Sequence, residues 1–100
     1  MSEGNQIVIP ESFVELYLDR GRIKPRESRE FIAQRYDLCE DMAQMLVEPS
    51  RTTLWELGIT ESDVLDQTRV ALNGAGLELN EFEIVWVVRR LAELLEWPAS

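Results

Sequence analysis

The sequence predicts an all-α protein: a compact bundle of four to five helices with short loops and the last helix central. Three observations carry this. Apolar residues recur at helical spacing in several long stretches. The breaks between stretches fall at Pro, Gly or Asn-Gly, and no apolar–polar alternation runs long enough to suggest a strand.

Residues 1–6 are expected to be disordered, and residues 1–100 to form a single helical domain. Gln6–Ile9 is β-branched and extended in character, and Pro10 turns Ile9 away from helical angles. A first helix is expected from Pro10 or Glu11, with Phe13, Leu16 and Tyr17 on one face and Gly21 as its stop. A second is expected from about Arg26 to Val47, ended by Pro49. Its core stripe is Ile32, Tyr36, Cys39, Ala43 and Leu46, widened by Phe31, Leu38, Met42 and Met45.

Thr52–Leu57 reads as one short helical turn (Leu54, Trp55, Leu57) stopped by Gly58. Thr60 and Asp63 then form a capping pattern for a fourth helix, whose apolar side is Val64, Leu65, Val70, Ala71 and Leu72, with Asn73-Gly74 as its end. The last helix, Asn80–Trp97, opens on a second capping pattern, Asn80 with Glu83, and closes before Pro98. Ile84, Val88, Leu91 and Leu95 make its front. At ~100° per residue, Phe82, Trp86, Arg90, Glu93 and Trp97 fall together on its back. A helix apolar in front and aromatic behind suits a central position.

Composition narrows the function. Acidic residues number 19 against 10 basic, a net charge of −9, which disfavours DNA and anionic membrane surfaces. Cys39 is the only cysteine, so no internal disulfide forms, and the start MSEGNQ lacks the basic-then-apolar order of a signal peptide. No apolar run approaches the ~20 residues of a membrane span. A cytoplasmic, soluble protein is expected.

The chemical inventory is sparse. There is no histidine, which removes the commonest general base and most zinc sites. Cys39 lies on an apolar stripe, where it acts as a small hydrophobe. Asp37, Glu40, Asp41 and Gln44 share a face that reads as solvated. No phosphate-cradling glycine loop precedes Lys24, the single lysine. The helix–Gly–helix pattern at Leu54–Leu72 resembles a DNA-binding motif in outline, but its second helix carries Glu61, Asp63 and Asp66 against Arg69. No enzyme activity, cofactor or metal is expected.

Two features remain. One is the basic cluster Arg20, Arg22, Lys24, Arg26 and Arg29, with Arg35 beyond it. It pairs either with the acidic segments around it or with an acidic partner, a phosphorylated ligand or RNA. The other is the back of the last helix, Phe82, Trp86, Arg90 and Trp97, residue types enriched where proteins touch. These residues are either core or a partner-binding face, with an unknown protein or a second copy as the partner.

IPESFVELYL near the start, RYDLCEDMAQ in the middle, GITESDVL after it and WVVRRLAELLEW at the end resemble a family of short helical proteobacterial proteins. Some members carry the label "ATPase with chaperone activity". The likeness covers most of the chain and rests on packing patterns. This chain lacks the Walker lysine loop and the acidic metal-holding strand end, so the resemblance implies an accessory subunit of a chaperone-type ATPase, not hydrolysis by the chain itself. The leading expectation is a small helical adaptor or regulator that works by protein–protein interaction.

Overall fold

The computed structural model describes residues 8–19 and 25–98. The protein is an all-α bundle, and no strand occurs among the described residues. Helix α1 spans Glu11–Val14 and runs on as a 3₁₀ turn at Glu15–Tyr17; α2 is Arg29–Met45, α3 Val47–Leu57, α4 Glu61–Gly74 and α5 Glu81–Leu95. None of these helices is long and apolar enough to cross a membrane. The chain divides into two compact units, Met1–Leu38 and Cys39–Ser100, with the boundary inside α2.

In the first unit, α1 begins where Pro10 predicts. The Pro10 carbonyl accepts from the N–H of Phe13 at 3.0 Å and of Val14 at 3.2 Å. The helix ends well short of Gly21, because Leu18 is extended and the Tyr17 carbonyl accepts from Arg26 N–H at 2.9 Å. That carbonyl is therefore committed to a returning strand of chain. Gly21 itself lies outside the described residues. Aromatic rings hold the unit: Phe13 meets Tyr17 and Tyr36 with centroids 5.6 Å away in each case, and Tyr17 meets Phe31 edge-on at 6.0 Å. Such pairs contribute about 0.5–1.5 kcal/mol beyond the area they bury.

Helix α2 starts three residues later than expected. The Ser28 hydroxyl accepts from Phe31 N–H at 3.1 Å and its carbonyl from Ile32 N–H at 3.0 Å, which makes Ser28 the cap. Ile32, Cys39 and Ala43 of the expected stripe are buried, Tyr36 and Leu46 partly so; Phe31, Leu38 and Met45 remain exposed.

The largest difference lies at Pro49. It does end the α2 pattern, but it sits third in α3, an eleven-residue helix and not the single turn expected. The first four N–H groups of a helix have no intrahelical acceptor, so proline costs no hydrogen bond there. Gly58 closes α3 at φ 64°, its N–H bonding the Leu54 carbonyl at 3.0 Å.

Both predicted capping boxes are present. Asp63 N–H donates to Thr60 Oγ1 at 3.0 Å, and Thr60 N–H to the Asp63 carboxylate at 3.4 Å. Glu83 N–H donates to Asn80 Oδ1 at 2.8 Å, and Asn80 N–H to the Glu83 carboxylate at 3.0 Å. Val64, Leu65 and Leu72 of α4 are buried, whereas Val70 and Ala71 face outward.

Within the second unit α5 packs on both α3 and α4 and carries more buried residues than either. Leu65, Leu91, Ala92 and Leu95 form the core cluster, with Leu46, Val47, Val88 and Trp97 laid against it. Each fully buried aliphatic side chain such as Leu91 contributes roughly 1.5–3 kcal/mol.

Candidate functional site

The residues expected to form one partner-facing flank on α5 have four different environments. Phe82 is 64% exposed, but Trp86 is only 8% exposed and belongs to the core. Arg90 is tied down: its Nε donates to Glu40 Oε1 at 2.8 Å, its Nη2 to Glu40 Oε2 at 3.1 Å and its Nη1 to Glu93 at 3.0 Å. Trp97 serves the helix end. Its N–H bonds the Ala92 carbonyl at 2.9 Å and that of Glu96 bonds Glu93 at 3.1 Å, with Glu96 at φ 61°. This is the doubly bonded left-handed stop usually given to glycine, with its accompanying apolar contact. Apart from Phe82, the flank is therefore taken up by packing and pairing within the chain.

The Glu40–Arg90 pair is bidentate and half-enclosed, with side chains 18% and 32% exposed. Burial pushes the Glu40 carboxyl up; the hydrogen bonds from Arg90 and Gln44 and the Arg90 charge outweigh that, and the group sits below its ordinary value of 4.5. The hydrogen bond to Glu40 holds the Arg90 guanidinium above its ordinary value, against the opposing effect of burial.

Of the basic cluster, Arg20, Arg22 and Lys24 lie outside the described residues. Arg26 sits over the Tyr17 ring, 5.5 Å from its centroid, and 3.6 Å from Asp19. Arg29 is exposed at the start of α2. Among the described residues, no group of three or more His, Cys, Asp or Glu is placed to hold a metal ion.

Two surfaces in the second unit emerge only from the structure. A groove of about 200 Å³ runs between one face of α3 with the preceding Leu46 (Leu46, Pro49, Ser50, Thr53) and one face of α4 (Val64, Gln67, Thr68, Ala71). It falls below the ~300–1,000 Å³ of small-molecule pockets. The other is the opposite side of α3. At ~100° per residue, Arg51, Trp55, Glu48, Thr52 and Glu56 occupy one continuous arc, and all five are exposed. Trp55 is 87% exposed. Its side chain makes no hydrogen bond, ring contact or cation contact among the described residues. Its one cationic neighbour on the arc, Arg51, is held by Glu48 at 2.8 Å.

Sequence reasoning passed over Trp55 because it read a single turn at Thr52–Leu57, and one turn has no definable face. The available signal was Pro49 as a helix opener, which extends α3 far enough to show the arc. In comparisons with protein-family models, curated proteins and solved structures, the chain matches none.

Proposed function

We propose that this chain is a non-enzymatic protein-docking domain, a small helical adaptor or regulator whose contact surface is the outer arc of α3 centred on Trp55. The observation that carries the reading is the exposure of that tryptophan, 87%, with no side-chain partner among the described residues. Tryptophan is highly buried on average, and it is the residue type most enriched among those that dominate binding energy. Glu48, Arg51, Thr52 and Glu56 supply the polar rim around it. The reading replaces the α5 flank with α3 and keeps the class of function. An accessory role beside a chaperone-type ATPase, which the family resemblance implies, is one form such docking takes.

Trp55→Ala tests it. A central aromatic anchor contributes about 2 kcal/mol or more to an interface, so partner capture from native cytosol falls on the order of 30-fold while helical circular dichroism is unchanged. Capture at the wild-type level by the folded variant removes the α3 arc from consideration. Light scattering on the same samples distinguishes a foreign partner from a second copy.

A further inference from the structure

Resting on the docking role of the α3 arc, we infer that its partner is a basic protein segment, one that lays an arginine or lysine across the Trp55 ring. Three observations converge. The Trp55 face is open, and no cation of this chain covers it among the described residues. Tryptophan is the ring that attracts cations most strongly, through the negative face of its π-system. The charge around it is acidic and undercompensated: Glu48 and Glu56 lie on the arc, and Arg51 is already engaged by Glu48 at 2.8 Å. The turn beyond Gly58 leads into the acidic first turn of α4, Glu61 and Asp63.

Residues 47–66, which hold α3 and the start of α4, carry five acids against the single Arg51. Field and ring therefore favour the same ligand charge. The same charge disfavours a second copy presenting this arc, because like carboxylates would meet across the interface. An acidic or phosphorylated partner is disfavoured for the same reason. A neutral apolar partner would leave Glu56 without counter-charge, since Arg51 serves Glu48.

The experiment is a nitrogen-15 NMR titration of the full chain, following the three tryptophan indole N–H signals. The titrant is a short synthetic peptide of arginine interleaved with alanine and leucine. A counterpart replaces every arginine with citrulline, which keeps the shape and removes the charge. The expected result is a saturable shift of the Trp55 indole with those of Trp86 and Trp97 nearly still. Binding weakens about 2–5-fold in Trp55→Ala, the size of an exposed cation–π contact, and less in Trp55→Phe. The citrulline peptide fails to bind.

Equal binding of both peptides, weakened alike by Trp55→Ala, overturns the cationic partner and leaves the docking arc standing. An arginine peptide that does not bind also overturns it. Shifts spread over acidic residues with the Trp55 indole unmoved remove the arc as well. A Trp55 shift that grows with protein concentration alone names a second copy as the occupant and overturns the inference.

Discussion

Helices α5 and α3 belong to the same compact unit and each carries a tryptophan, yet they use it in opposite ways. α5 buries seven of its fifteen residues, Trp86 among them. α3 buries only Ser50 of eleven and leaves Trp55 in solvent. One helix is held by what it encloses. The other is held by its neighbours and displays its largest side chain. A tryptophan that adds almost nothing to folding is free to act on something outside the chain, and that contrast carries the functional reading.

The contrast breaks most sharply under alanine. Trp86→Ala removes a core ring and should cost about 3–5 kcal/mol, enough to unfold much of a domain of ordinary stability. Trp55→Ala should stay within about 0.5 kcal/mol. Urea unfolding of the pair measures both, and a large loss for Trp55→Ala would show the ring to be structural.

The next effect concerns what fixes α5 to the end of α2. Arg90→Ala should cost about 1–2 kcal/mol, between the values for exposed and enclosed pairs. Glu40 has its carboxyl lowered in the folded state, so its contribution is fully present above the unfolded value. It is lost as pH falls below 4.5 and through the folded value. Stability curves of wild type and Arg90→Ala should therefore converge in acid; a gap that stays constant as pH falls through the carboxylate range would contradict the assignment.

The smallest effect lies at the close of α5. Glu96 holds a left-handed backbone at φ 61°, which glycine adopts without steric penalty. Glu96→Gly should raise stability by about 0.5–1 kcal/mol, read as a higher unfolding midpoint. A fall would mean that the Glu96 side chain matters more than its backbone.

The helices themselves were legible because their signals are local. Thr60 with Asp63, Asn80 with Glu83 and Gly58 each specify a hydrogen-bonded stop or start within a few residues. Pro49 was ambiguous, since proline both ends one helix and opens the next. That ambiguity hid the α3 arc. The environment of Trp86 was beyond reach for a different reason: periodicity places a residue on a face but does not say how many neighbours press on that face. Arg90 shows the same limit, because its partner Glu40 is fifty positions away in the chain.

The most direct measurement replaces Trp55 with a photo-cross-linking phenylalanine analogue in the full chain, with the same replacement at Phe82 as comparison. Irradiation in a native cell extract should yield a discrete, heavier adduct from position 55 and little from position 82. Adducts from 82 with none from 55 would contradict the account, and would return the contact surface to α5.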